Sequence, residues 1–98
     1  MNEPKNAKEK RRHERLDLDV DVTVLTGSGL VPGRSQDISL SGISVVLPVE
    51  LTEGQEVKLQ IRFSAATETI PAIVRYRHAF RHGFEFVQPL QFFPATKV

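Results

Sequence analysis

The 98-residue chain contains no cysteine and no tryptophan. Without cysteine there is no disulfide framework, no thiolate metal site and no cysteine nucleophile. No apolar run approaches the roughly 18 residues of a membrane-spanning helix. The first ten residues are polar and charged, with no hydrophobic stretch, so they do not read as a secretory signal. A small disulfide-free domain of this kind is expected in a reducing compartment, the cytoplasm. His13, His78 and His82 lack the spacing of metal ligands, so no metal is expected. Neither Ser39 nor Ser41 has a general base or an oxyanion site marked for it, and the chain does not read as an enzyme.

The length suits one domain, and a 40% hydrophobic content is enough to fold it. The net charge of +1 conceals a segregation. Six basic residues (Lys5, Lys8, Lys10, Arg11, Arg12 and Arg15) face three acidic ones within the first fifteen. The remainder is acidic on balance. A basic end on an acidic body points to an anionic partner for that end, or to a solubilising leader.

Residues 1–14 have no apolar period and read as a mobile arm. From Leu16 the pattern changes. Leu16, Leu18, Val20, Val22 and Val24 alternate with Asp17, Asp19, Asp21 and Thr23, which predicts one strand with its apolar face inward. A turn over 26–29 leads to a second strand over 30–36, weakened by Pro32 and Gly33 and therefore an edge or bulged one. Residues 37–42 are dense in turn formers. Further strands are predicted over 43–47, 57–63, 70–77 and 83–87, the fifth with Val74 and Tyr76 facing away from Arg75 and Arg77. With Arg62 and Arg81, those two arginines read mainly as a solubilising surface. A short helical turn is expected over 90–93, with Phe92 and Phe93 capping the barrel end. Six short strands at regular spacing predict an all-β fold, a six-stranded antiparallel β-barrel. Side chains fill so small a barrel, so a ligand must bind outside it or at a rim.

Two constellations carry chemistry. In the run Arg11-Arg12-His13-Glu14-Arg15, two guanidinium groups four residues apart can grip phosphate bidentately or stack on a base. Alone, such a run also reads as a solvated charge cluster. In Asp37-Ile38-Ser39-Leu40-Ser41-Gly42, the Asp and Ser side chains can cap a turn, and Gly42 can supply a backbone conformation other residues resist. Alone, this reads as a plain loop between two strands.

Taken together, the two motifs are far more specific. An Arg-x-x-x-Arg ahead of the first strand and an Asp-x-Ser-x-x-Gly after the second resemble the PilZ domain family, as do Ile43-Ser44-Val45, the Leu51 to Gly54 approach to the fourth strand, Ala72-Ile73-Val74-Arg75 and Gly83-Phe84-Glu85-Phe86. The resemblance runs from about Arg11 to Val87. It implies a barrel that binds cyclic di-GMP. Arg11 and Arg15 would bind its guanine and phosphate groups, with Arg12 adding a contact. Asp37 would hydrogen-bond a guanine, Ser39 would touch the ligand, and Gly42 would allow close approach. Lys10 stands where the family sets whether one ligand or a stacked pair is held. The expected organisation is an arm over 1–10 and a barrel domain over 11–98, acting on a protein partner or fused domain with no cofactor beyond the ligand. Two alternatives remain from the residues alone: a small barrel that binds single-stranded nucleic acid, which the inward aromatics disfavour, and a protein-interaction domain that binds no nucleotide.

Overall fold

The computed structural model describes residues 14–91, so Lys10, Arg11, Arg12, Phe92 and Phe93 lie outside the described residues. The described chain is built from strands alone: β1 (Leu16–Asp17), β2 (Asp21–Thr26), β3 (Gly29–Ile38), β4 (Gly42–Val46), β5 (Glu56–Arg62), β6 (Thr67–His78) and β7 (Arg81–Phe86). All neighbouring strands pair antiparallel, in the order β1-β3-β2-β5-β6-β7-β4, and β4 pairs back onto β3. Six strands thus close into a ring, and β1 is an added seventh on β3. Closure removes the free edges that so small a sheet would otherwise expose.

The alternation of apolar residues explains the inside of the ring. Val22, Val24, Ile43, Val45, Leu59, Ile61, Ala72, Val74, Phe84 and Phe86 are all buried and share one core. Leu18, Val20, Val31, Leu51 and Leu90 pack against it. Pro32 sits in β3 opposite Thr23. Because β4 pairs with β3 only from Arg34 onward, this stretch has a ladder partner on one side only, where proline is tolerated.

Three departures from strict alternation matter more than the regular parts. The stretch over 16–24, expected as one strand, is two. β1 pairs with Ile38 and Asp37, whereas β2 pairs with residues 29–34 of the same strand, and the register slips between them. Ser35 fills the break. Its buried hydroxyl donates to the Leu18 carbonyl at 2.5 Å and accepts from the Val20 N–H at 2.9 Å. Outside, Arg34 spans the same break, with Nε and Nη1 each 2.7 Å from the carboxylates of Asp19 and Asp21. Those hydrogen bonds, Asp19's first, raise the Arg34 pKa above its ordinary value.

The second departure is in the β3–β4 ladder, where Ser35 faces Val45 but Asp37 faces Ser44, leaving Gln36 as an extra residue. The third is in the β6–β7 ladder, where Val74 faces Phe84 but Tyr76 faces Gly83, leaving Arg75 extra. Each bulge reverses the facing of the residues beyond it. Ser35 and Val74 point in and are buried, and period two would send Asp37 and Tyr76 in after them. The extra residues turn both outward. This corrects the expectation that Tyr76 faces inward with Val74, and it brings Asp37 and Ile38 into a strand where a turn was expected.

At the other end of β7, His82 is wholly buried between the β6–β7 turn and the loop after β4. Its Nε2 accepts from the Leu51 N–H at 3.0 Å, which leaves the proton on Nδ1 to donate to the Phe80 carbonyl at 2.9 Å. Near the described C-terminus, residues 90–91 form no helix, and the rest of the expected helical turn is outside the described residues. The Leu90 N–H instead donates to the Leu40 carbonyl at 2.8 Å, beside the turn that β1 also adjoins through Ile38.

Stability should respond at both buried polar groups. Ser35→Ala strands a buried carbonyl and N–H, so urea denaturation should show a loss of about 1–3 kcal/mol; an unchanged midpoint would remove the hydroxyl from its bridging role. Burial lowers the His82 pKa, opposed by its bond to the Phe80 carbonyl. The unfolded chain therefore binds the proton more readily than the folded one. The stability that neutral His82 contributes is full above its unfolded value of about 6.5 and lost as pH falls below it. The melting temperature should drop between about pH 7 and about pH 5, and drop less in His82→Gln.

Candidate ligand-binding site

The outward-turned residues meet on one patch of the barrel wall. Arg15, just ahead of β1, reaches across to β3. Its Nε donates to Asp37 Oδ1 at 3.0 Å, and its Nη2 donates to the same oxygen. Nη2 also lies 3.5 Å from the hydroxyl of Ser44 on β4, and that hydroxyl is 3.1 Å from the phenol oxygen of Tyr76 on β6. Side chains from four segments are thereby joined in one line across the ladder: Asp37, Arg15, Ser44, Tyr76. Ser44 is fully buried, whereas Arg15 and Tyr76 are each a little under half exposed. Asp17 lies directly opposite Asp37 on the β1–β3 ladder, a like-charge pairing in which the Arg15 guanidinium on Asp37 offsets one of the charges.

Beside this line is a shallow depression of about 200 Å³, bordered by Arg15, Gly42, Arg75, Tyr76, Gly83 and Glu85, among others. Arg75 Nε donates to Glu85 Oε1 at 2.6 Å on its margin. Arg77, further along, lies 3.4 Å from Glu50. Among the described residues no group of three or more His, Asp or Glu side chains is placed to hold a metal ion.

The motif residues have distinct parts. Arg15 and Asp37, 22 positions apart in sequence, are in contact. Ser39 is buried, and its hydroxyl accepts from the N–H groups of Ser41 and Gly42 at 3.1 and 3.2 Å. Its oxygen therefore builds the turn between β3 and β4, and does not point into the depression. Gly42 is the first residue of β4 and has no left-handed backbone conformation. Its smallness is needed for another reason: an added Cβ would lie 2.3 Å from the Phe84 carbonyl oxygen, so only glycine lets β4 approach β7 this closely. Lys10, Arg11 and Arg12 are outside the described residues.

Sequence reasoning missed Ser44 and Tyr76 as members of this patch. Ser44 was legible only as a lone polar residue inside the apolar run 43–47. Tyr76 had no local signal, because its facing depends on which residue of β6 is skipped by β7. The nearest hint is Gly83, the residue opposite.

The PilZ domain family model matches residues 9–92. Among solved structures, the chain is similar to the PilZ domain of CeSA from a cellulose-synthesizing bacterium, with a TM-score of 0.64, 22% identity, and 76% of this chain and 80% of that one covered. It is similar to the inhibitor of motility MotI/DgrA of Bacillus subtilis, with a TM-score of 0.68, 25% identity, and coverage of 83% and 44%. It is also similar to the PilZ domain of YcgR from Escherichia coli, solved with c-di-GMP, with a TM-score of 0.68, 18% identity, and coverage of 80% and 78%. No curated protein sequence matches the chain. A closed antiparallel barrel with an arginine clamped on the aspartate of an Asp-x-Ser-x-x-Gly run defines the class, a small β-barrel domain of the PilZ kind. The chain belongs to the PilZ domain family.

Proposed function

We propose that this chain is a cyclic di-GMP receptor that binds its ligand between the arginine-rich N-terminal segment and the outer wall of β3 and β4. The observation that carries this reading is the Arg15–Asp37 contact at the edge of an open depression, in a chain of this family. Arg11 and Arg15 take phosphate and guanine groups, with Arg12 and Lys10 adjacent. Asp37 accepts from the Watson–Crick edge of a guanine. Ser39 and Gly42 serve by shaping the turn that holds Asp37 and Ser41.

Magnitudes favour exchange of partners at Arg15. The Arg15 side chain in this pair is about half in water, though Asp37 is less exposed, and solvent-exposed ion pairs contribute only about 0.2–1 kcal/mol. A charge-assisted hydrogen bond to a bound anion contributes about 1.5–3 kcal/mol. Ligand phosphate therefore outcompetes the intramolecular carboxylate. Arg15 then swings from Asp37 to the ligand and frees the carboxylate for a base edge. The arm loses conformational freedom in this step, which couples occupancy to arm position and so to whatever partner or fused domain reads it.

Isothermal titration with cyclic di-GMP tests the reading. Saturable binding is expected, weakening as salt rises because the contacts are ionic. Arg15→Ala and Asp37→Ala should each weaken binding by about 1–3 kcal/mol. No heat at tens of micromolar ligand, with retention of single-stranded RNA or DNA on a filter, would replace this reading with a nucleic-acid one. Wild-type affinity in both variants would displace the site.

A further inference from the structure

Tyr76 does more than hold Ser44. An ideal Cβ built on Gly83 would lie 2.0 Å from the Tyr76 Cε2, 2.3 Å from Cζ and 2.5 Å from Cδ2. These three atoms are consecutive in the ring, with Cε2 in the middle. A point in the plane of the ring, beyond Cε2, would be much further from the two flanking atoms than from Cε2. Near-equal distances place the point above the ring face. The phenol therefore lies flat against the backbone of β7 at Gly83, and glycine is what allows it. The hydroxyl is pinned at 3.1 Å from the buried Ser44 oxygen, so the ring is fixed at both ends. Tyr76 is nonetheless 43% exposed. With one face on Gly83, the exposed area lies on the ring's other face and its edges, and the ring lines the depression together with Arg15, Arg75 and Glu85.

A rigid aromatic face, desolvated beneath and open above, with a guanidinium at its margin, is what a planar heterocycle on an anionic backbone needs. We propose that Tyr76 is a stacking platform for one purine base of the cyclic dinucleotide, with Ser44 and Gly83 as its positioning residues. The inference rests on the cyclic di-GMP reading above. Arg75 and Glu85 supply a donor and an acceptor at the edge of the stacked base, the pairing that suits the O6/N7 and N1/N2 groups of guanine. The outward turn of Tyr76 by the bulge at Arg75 has no role in filling the core, since the ring contributes none of the buried interior.

The chain reports on itself, because Tyr76 is its single tyrosine and there is no tryptophan. Titration with cyclic di-GMP should quench tyrosine emission in step with the calorimetric binding curve, and shift the Tyr76 ring protons upfield in NMR spectra. Tyr76→Phe keeps the ring and should bind within about threefold of wild type, whereas Tyr76→Leu should bind about tenfold more weakly or worse, the usual scale of lost base–aromatic stacking. Circular dichroism of each variant checks the barrel. Heat of binding without quenching or ring shifts, and with the leucine variant at wild-type affinity, would overturn the platform while leaving the receptor reading intact. A phenylalanine variant as weak as the leucine one would overturn it too, and assign the effect to the hydroxyl acting through Ser44 on Arg15. No heat at all would remove the receptor reading and this inference with it.

Discussion

In a closed ring of six short strands, every side chain faces either a packed interior or water. Period two decides which, and a register change of one residue reverses it. The interior here is full of aliphatic and phenyl groups, so polar chemistry has to be carried on the outer wall. Regular strands would not concentrate it there. The bulges at Gln36 and Arg75 do, by reversing the facing of Asp37 and Tyr76 on opposite sides of Ser44. The break between β1 and β2 lets β1 follow the reversed part of β3, where Arg15 meets Asp37. Without either bulge, Asp37 or Tyr76 would face the interior and the line Asp37–Arg15–Ser44–Tyr76 could not form.

The two polar clusters of the barrel differ in what they are built to do. At one end, Ser35 and His82 are buried, each with its hydrogen bonds satisfied by backbone groups, and they hold loops and broken strands in place. Losing such a bond leaves a backbone group dry and unpaired, which is costly. On the outer wall, Arg15, Arg75 and Glu85 are half in water and Asp37 is partly so, and ion pairs in contact with water are weakly held and readily exchanged. Stability is kept in the buried set, and changeable contacts are kept in the exposed one.

Much of this was legible from residue order. Alternation at Val22/Val24, Leu59/Ile61 and Phe84/Phe86 marks the inward faces directly, and those side chains are buried. Arg15 and Asp37 were singled out together because their two motifs flank a pair of predicted strands, and they touch. What could not be read was register. Whether Gln36 or Arg75 is skipped depends on neighbours many positions away, on β4 and β7, and no local pattern encodes that. The same blindness merged β1 with β2, since Leu16, Leu18 and Val20 keep their alternation across a break that only Ser35 and Arg34, from another strand, reveal. For Ser39 and Gly42, the motif was visible, but the physical reason for each residue lay in contacts, a buried turn hydroxyl and the Phe84 carbonyl, that sequence does not display.

The described chain joins the barrel and leaves it at the same place. Leu16 pairs with Ile38 and Leu90 is bonded to Leu40, so both exits flank the turn between β3 and β4. Leu16 and Leu90, far apart in sequence, are therefore anchored on either side of one turn. The barrel acts on them as a clasp holding two cords at one knot, and the knot is the turn that presents the aspartate. A displacement of that turn would move both anchor points, Leu16 and Leu90, together.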